Sequence, residues 1–247
     1  MSVLLVEIGN TALKWAELRD GQVGPISYRR HSEEAPSRWF DTLWRDQARP
    51  AAVCLASVAT QAFTRTLVAW IEAHWELRPE WLQSEPQAFG VTNGYANPAQ
   101  LGVDRWLAMV GAWSRVGRAC CVVDCGTAAT VDAVDASGRH LGGFILPGIG
   151  TARRALLQQT RIPRVEDVTS PAEFGTDTAS AVAIGARLAV LGAIEHALRA
   201  LAAGDGEPAL FLAGSEAELL LPRLTTPHVL APALVLEGMA CYAAERC

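Results

Sequence analysis

The sequence is poor in charge, and the charge that it has is not concentrated. Only 19% of its 247 residues are charged, the formal net charge is -5, and the basic residues are scattered along the chain. Nucleic-acid binding needs a concentrated positive surface, so we expect no nucleic-acid partner. Long apolar runs are also missing: none approaches the roughly 18 to 20 residues of a membrane span, and no basic segment followed by a long apolar stretch opens the chain. We therefore expect a soluble, cytoplasmic protein with no membrane partner.

Paired cysteine motifs are absent as well. The chain has six cysteines, most of them inside apolar runs, and no two show CxxC spacing. This pattern is typical of small buried hydrophobic side chains in a reducing compartment, with metal ligation or disulfide bonding as the alternative. The six are Cys54, Cys120, Cys121, Cys125, Cys241 and Cys247.

The chain does contain an apolar segment that ends on an acid and a Gly-Thr turn. The run at 120–123 is followed by Asp124 and then by Gly126-Thr127. This order predicts a buried strand that delivers a carboxylate and free backbone amides into a cleft, a geometry that suits a nucleotide. The segment continues through 130–134 and returns through 141–146, which predicts a β-hairpin.

The same order of features occurs at the start of the chain. Val3–Val6 is an apolar strand that ends on Glu7, and Gly9-Asn10-Thr11 follows. Either turn alone is equally typical of an ordinary tight hairpin, but the repetition with an acid at the same offset indicates an internal duplication. Two such turns facing each other would clamp a polyphosphate and its metal from both sides, because glycine lets the backbone approach closely.

Length and composition favour two lobes. Half of the residues are apolar, enough for a large core, and the duplication divides the chain into lobes 1–115 and 116–247. A strand at 51–58 followed by helical spacing at 63–75 predicts a mixed α/β sheet covered by helices. Residues 179–203 predict a long Ala-rich helix that serves both the core and a subunit interface.

A loop with turn signals leads into a predicted helix at 106–116. Asp104 lies at the start of this helix, where a lone aspartate is commonly only an N-cap. Arg105 and the upstream Tyr95 add a guanidinium and a phenol to the same junction. An acid, a guanidinium and a phenol together are what a small polar substrate would need.

These segments resemble the type III pantothenate kinases, a family in the superfamily of actin, the heat-shock chaperone ATPases, and the acetate and sugar kinases. The resemblance covers most of the chain and implies an α/β protein with a duplicated ribonuclease-H-like (actin-like ATPase) fold: two lobes of mixed β-sheets flanked by helices, with a nucleotide cleft between them. Four blocks carry it: Glu7-Ile8-Gly9-Asn10-Thr11-Ala12-Leu13-Lys14; Tyr95-Ala96-Asn97-Pro98 with Gly102-Val103-Asp104-Arg105; Asp124-Cys125-Gly126-Thr127-Ala128-Ala129-Thr130; and Gly142-Gly143-Phe144-Ile145-Leu146-Pro147-Gly148. Weaker blocks are 178–185 and 212–215.

The resemblance implies transfer of the γ-phosphoryl group of ATP to the primary hydroxyl of pantothenate, the first step of coenzyme A synthesis. It implies Asp104 as the proton acceptor, Mg²⁺ bound with ATP, a monovalent cation, expected to be K⁺, at Asp124, and a homodimer. The implied ATP-binding residues are Glu7, Ile8, Gly9, Asn10, Thr11, Ala12, Leu13, Lys14 and Thr127. The implied pantothenate-binding residues are Tyr95, Gly102, Val103, Asp104 and Arg105, with Thr178 reaching the pocket across the dimer interface.

The chain departs from the family pattern at Glu7, because the first turn of the family usually begins with Asp. The extra methylene moves the carboxylate outward by roughly one bond length, which alters how it can hold a hydrated Mg²⁺ with its strict octahedral shell. We therefore expect a water-mediated metal contact at Glu7, with a weakened enzyme as the alternative.

Two readings from other classes stay open. One is a different kinase of the same fold that acts on a sugar or a small acid, and the Tyr95 and 102–105 segments argue against it. The other is a non-catalytic regulator that retains nucleotide binding. Asp104, Asp124 and Thr127 disfavour the regulator, whereas Glu7 favours it.

Overall fold

The computed structural model describes residues 2–30, 36–162, 172–202 and 206–247. The chain divides into two compact units. The first comprises Met1–Arg115 together with Ala233–Cys247, and the second comprises Val116–Pro232.

The first unit is built on one sheet with helices on both faces. Its strands are β1 (Ser2–Ile8), β2 (Ala12–Arg19), β3 (Gln22–Val23), β4 (Ser27–Arg30), β5 (Ala52–Ser57) and β6 (Glu80–Trp81), with β7 (Gln87–Ala88) and β8 (Val91–Thr92) forming a separate short hairpin. Its helices are α1 (Pro36–Trp44), α2 (Gln61–Trp75) and α3 (Val103–Val116), together with the terminal helix Leu234–Arg246 and a 3-10 turn at Pro98–Gln100.

The second unit is also built on one sheet, which has five strands. Its strands are β9 (Cys120–Cys125), β10 (Ala128–Val134), β11 (His140–Pro147), β12 (Ala209–Ala213) and β13 (Val229–Leu230). Its helices are α4 (Ile149–Gln159) and α5 (Thr178–Ala202), with 3-10 turns at Ala217–Leu219 and Leu221–Arg223. The terminal helix Leu234–Arg246, which belongs to the first unit, is α6.

Strand order shows the duplication directly. In the first sheet the order is β3-β2-β1-β5-β6, with β4 also paired to β2, and β1 runs antiparallel to β2 but parallel to β5. In the second sheet the order is β11-β10-β9-β12-β13, and β9 runs antiparallel to β10 but parallel to β12. The internal duplication expected from the two Gly-Thr turns is therefore confirmed in the described residues.

An aromatic cluster fills the space between the first sheet and its outer helices. Alternate residues of β1, Leu4, Val6 and Ile8, pack there against α1 and α2. Four tryptophans of these two helices are buried in the cluster: Trp39, Trp44, Trp70 and Trp75. Because strand side chains alternate between faces, Glu7 points to the other side of the sheet.

Helix α6 belongs to the first unit, whereas the lobe division made from the sequence groups it with residues 116–232. It packs on β1 and approaches α3 closely at two glycines. A Cβ on Gly238 would collide with the carbonyl of Leu107, and one on Gly111 would collide with the carbonyl of Leu234. No local pattern signals this contact, because the two helices are far apart in the chain.

Helix α5 is the core helix of the second unit. Val190, Leu191 and Ile194 pack against β9 and β10. Among the described residues it is also the one helix that is long and apolar enough to cross a membrane, with a mean hydropathy of 1.5 over its best window, of which 44% is buried. Core helices pass the same test, so this is weak evidence for a membrane span.

The cysteines are free thiols, and four of them are buried: Cys54, Cys120, Cys121 and Cys125. Burial raises the pKa of Cys120 and of Cys125 to about 12. These thiols therefore stay protonated near neutral pH and behave as small apolar side chains.

Candidate functional site

The first turn places an acid beside a lysine at the end of the central strand. Glu7 of β1 is paired in register with Lys14 of β2, and the distance from Lys14 Nζ to Glu7 Oε2 is 3.5 Å. Glu7 is only 6% exposed. A buried carboxylate is costly unless a charged partner compensates it, and Lys14 is such a partner.

The tip of this turn presents polar groups to solvent. The N–H of Gly9 donates to the carbonyl of Ala12 at 2.9 Å, and Asn10 and Thr11 are exposed. In contrast, the side chains of Ile8 and Leu13 are fully buried in the aromatic cluster. These two residues can therefore face a ligand only with their backbone atoms.

The second turn repeats the arrangement in the second unit. Asp124 of β9 is paired in register with Thr130 of β10, as Glu7 is with Lys14. The N–H of Gly126 donates to the carbonyl of Ala128 at 2.9 Å, and Thr127 is exposed at the tip. Asp124 is half-buried and, by strand alternation, lies on the face of the sheet opposite α5.

Two further glycines enclose the second turn. The N–H of Gly148 donates to the carbonyl of Thr127 at 3.0 Å, and a Cβ on Gly148 would collide with the carbonyl of Gly126. Gly214, at φ +91, lies against the backbone of Cys125. Sequence reasoning assigned these glycines to family blocks without individual roles, and the structure shows that both are needed for close backbone approach.

Glu216 is a site residue that sequence reasoning missed. Its backbone N–H donates to the carbonyl of Cys125 at 2.8 Å, and its carboxylate accepts from the N–H of Gly150 at 3.2 and 3.3 Å. The carboxylate thereby satisfies an open amide in the first turn of α4, where the helix dipole also favours negative charge. The two residues are 66 positions apart, and no local motif links them.

A second group of predicted residues meets at the start of α3. Arg105 is 7% exposed, and its Nη1 donates to the hydroxyl of Tyr95 at 2.8 Å, with the guanidinium 5.6 Å from the centre of the tyrosine ring. Asp104 Oδ1 accepts from the N–H of Arg105 at 2.8 Å. Gly102 allows this carboxylate to lie close, because a Cβ there would be 2.6 Å from Asp104 Oδ1.

The position of Asp104 bears on the N-cap interpretation. It is the second residue of α3, and Trp106 N–H bonds back to the carbonyl of Gly102 at 3.0 Å. Its Oδ1 accepts from the N–H of the next residue along the chain, and Asp104 lies inside the helix, whereas an N-cap residue flanks the first helical residue. Asp104 therefore occupies the first turn of the helix, with a half-buried carboxylate.

Thr178 begins α5 as expected and is exposed. The preceding Asp177 caps the helix, since its Oδ1 accepts from the N–H of Ser180 at 2.9 Å. The hydrogen bonds from Ser180 lower the pKa of Asp177. The helix start is thus well formed, while a contact of Thr178 with substrate stays a prediction.

Comparison with known proteins identifies the family. A family model described as type III pantothenate kinase matches residues 3–200. Curated relatives named type III pantothenate kinase include one from Methylibium petroleiphilum, 37% identical with all of both chains covered, and one from a Polaromonas species, 34% identical with 100% of this chain and 99% of the relative covered.

Solved structures share the fold. A Campylobacter jejuni protein assigned to the Baf family of transcriptional activators is 20% identical, with a TM-score of 0.63 and 98% of each chain covered. A Sinorhizobium meliloti protein assigned as a 2-dehydro-3-deoxygalactonokinase is 13% identical, with a TM-score of 0.62 and coverage of 99% and 96%. The duplicated actin-like α/β fold expected from the resemblance is confirmed. With a family model over most of its length and relatives above 30% identity over their full length, this chain belongs to the type III pantothenate kinase family.

Proposed function

We propose that the protein phosphorylates the primary hydroxyl of pantothenate with ATP to give 4'-phosphopantothenate, the first step of coenzyme A synthesis, in the cytoplasm. The observation that carries the proposal is the junction of Asp104, Arg105 and Tyr95 at the start of α3. There a half-buried carboxylate adjoins a buried guanidinium that is fixed by a phenol. A small acid that is phosphorylated on a hydroxyl needs a cationic group to bind it and a carboxylate to accept the hydroxyl proton, both in one place.

Asp104 acts as the acceptor of the hydroxyl proton. Phosphoryl transfer passes through a loose transition state, so it needs alignment and charge compensation more than covalent chemistry. A positioned base contributes roughly 10²- to 10⁴-fold to such a step. Arg105, with Tyr95 and Gly102, binds and orients pantothenate, and Val103 supports this pocket from the buried side of α3.

The ATP phosphates are held by the first turn, with Lys14 as its cation and Thr127 as a hydroxyl contact. No group of three or more His, Cys, Asp or Glu side chains suited to a metal ion occurs in the described part of the chain. The Glu7 carboxylate, with the exposed Asn10 and Thr11 of the same turn, fits Mg²⁺ that is delivered on ATP and keeps most of its water, which is the usual behaviour of this ion at nucleotide sites. When bound there with ATP, Mg²⁺ would neutralise part of the phosphate charge.

Asp124 is the proposed ligand of a monovalent cation, K⁺. The Asp124 carboxylate, the opposite Thr130 and the carbonyls of the adjacent turn would supply an oxygen donor set of low charge. Such a set suits a hard ion of single charge better than it suits a transition metal.

One assay tests both the kinase activity and the role of Asp104 as the base. It follows ADP release with ATP, Mg²⁺ and pantothenate by a coupled reaction, in KCl and in choline chloride. We expect K⁺-dependent turnover, and we expect Asp104→Asn to lower kcat by about 10²- to 10⁴-fold with little change in KM, because the amide keeps the bond to Arg105 but cannot take a proton. Asp20→Asn, at an exposed turn with φ 51 that asparagine tolerates, is the control.

The same assay separates the alternatives. Turnover of a sugar or a small acid in preference to pantothenate would move the protein to a different kinase activity. ATP binding without any turnover would contradict the kinase proposal and favour a nucleotide-binding regulator.

The water-mediated contact at Glu7 predicts an altered Mg²⁺ requirement on shortening the side chain. Glu7→Asp should reach half-maximal rate at a lower Mg²⁺ concentration, because the shorter side chain leaves more room for a hydrated ion. A Mg²⁺ titration of both proteins at fixed ATP measures the shift. Identical titration curves with no gain in kcat would contradict this role and remove the concern about a weakened enzyme.

Lys14 offers a direct test of the ATP site, since it is the only lysine in the chain. An acyl phosphate of ATP transfers its acyl group to an amine that lies beside the bound phosphates and releases ATP. We expect one acylated peptide spanning Lys14, with labelling blocked by excess ATP and absent in Lys14→Arg, which keeps the charge. Labelling that ATP does not reduce would place the phosphates elsewhere.

The homodimer is supported by exposed apolar residues of the second unit. On the edge strand β11, Ile145 is 65% exposed and Phe144 is 40% exposed, and Phe144 contacts His196 of α5. On α5, Leu188 is 46% exposed. Exposed apolar side chains on an edge strand and on the helix that packs against it are typical of an isologous interface, and Thr178, also on α5, would reach the partner's pantothenate.

Leu188→Asp should shift the protein toward monomer and raise the KM for pantothenate, since the charge would be buried in the interface. Light scattering after size-exclusion chromatography measures the mass. Leu219→Asp, at a 3-10 turn and 38% exposed, is the matched control and should keep the native mass. A dimer that survives Leu188→Asp would place the interface elsewhere.

A further inference from the structure

The loop that carries Tyr95 is tied down by a buried amide. Asn93 is 9% exposed, and its Nδ2 donates to the carbonyls of Glu85 at 3.2 Å and of Pro98 at 3.3 Å. Its Oδ1 accepts from the N–H of Tyr95 at 3.0 Å. Both N–H groups and the carbonyl oxygen of the side chain are therefore used.

These three bonds fix the loop before and after Tyr95. One bond holds the backbone of Tyr95 itself, and another holds the carbonyl of Pro98, where the 3-10 turn begins. The third bond, to the carbonyl of Glu85, joins this loop to the segment before β7. Tyr95 in turn accepts the hydrogen bond from the buried Arg105.

We infer that Asn93 is a positioning residue for pantothenate: it holds Tyr95 where the phenol fixes Arg105. The inference rests on the proposed function of the Tyr95 and Arg105 site. Asn93 acts through these side chains and does not take part in phosphoryl transfer.

The chemistry requires an amide at this position. Aspartate has the same shape and keeps the acceptor for Tyr95, but it has no donors and would direct a negative oxygen at two carbonyls. A buried group left without its partners weakens the structure around it. The loop would then lose its fixed position although every side chain of the proposed pocket is still present.

The chain offers a matched control four residues further on. Asn97 is exposed, and its Oδ1 accepts from the N–H of Ala99 at 3.2 Å. Asparagine and aspartate cap such turns about equally well. Asn97→Asp is thus the same substitution in the same loop, with the side-chain hydrogen bond to Ala99 preserved.

The experiment compares both variants with the wild type in steady-state kinetics. For Asn93→Asp we expect the KM for pantothenate to rise roughly tenfold, with kcat within about threefold and the KM for ATP unchanged, because ground-state binding of one substrate is lost. Asn97→Asp should match the wild type. An unchanged KM for pantothenate, or an equal loss for ATP, would overturn the inference.

Amide hydrogen exchange over 94–101 provides a readout that does not depend on turnover. Exchange should be faster in Asn93→Asp than in Asn97→Asp, and equal exchange would overturn the inference even if the wild type has no activity with pantothenate. Lack of wild-type turnover would contradict the proposed function, so the two failures are distinct. If Asn93→Asp does not fold, Asn93→Ser, which is too short to span both carbonyls, is judged by the same measurements.

Discussion

Each unit presents its acid where it does because the central strand pairs with the strand that follows it directly. The pairing opposes Glu7 to Lys14 in the first unit and Asp124 to Thr130 in the second. A shift of one residue would turn each acid to the other face of its sheet and bring apolar side chains out of the core. Burial of apolar side chains in the aromatic cluster beside β1 and in the α5 core beside β9 therefore fixes the register of each strand pair. The register in turn fixes the face on which each acid lies.

The two turns share this frame but differ in their supporting contacts. The first turn pairs its acid with a lysine, so its charge is compensated within the hairpin. The second turn is enclosed from outside by Gly148, Gly214 and Glu216, which come from distant parts of the same unit. Duplication thus provided one backbone design, and different long-range contacts specialised each copy.

Local patterns in the sequence were sufficient for much of the fold. The long helix begins at Thr178, one residue before the predicted start, its predicted last residue Ala203 lies outside the described residues, and Asp104 lies at a helix start as expected. These features depend on periodicity and turn residues, which are local. The role of Glu216 was not recognised, because its partners lie at distant positions that only the fold brings near. The role of Asn93 was not recognised, because its three bonds depend on the conformation of an irregular loop, which no periodic pattern predicts. Helix α6 has an ordinary helical pattern, but its place in the first unit depends on the opposed glycines of α3 and α6.

The placement of α6 also affects how the protein is made. The second unit is one continuous stretch, Val116–Pro232, whereas the first unit needs both its early strands and Ala233–Cys247. During synthesis the first sheet leaves the ribosome long before the helix that covers its second face. The second unit can therefore fold first, although most of the first unit is synthesised before it. The first unit keeps an uncovered apolar face until the last turns of α6 emerge.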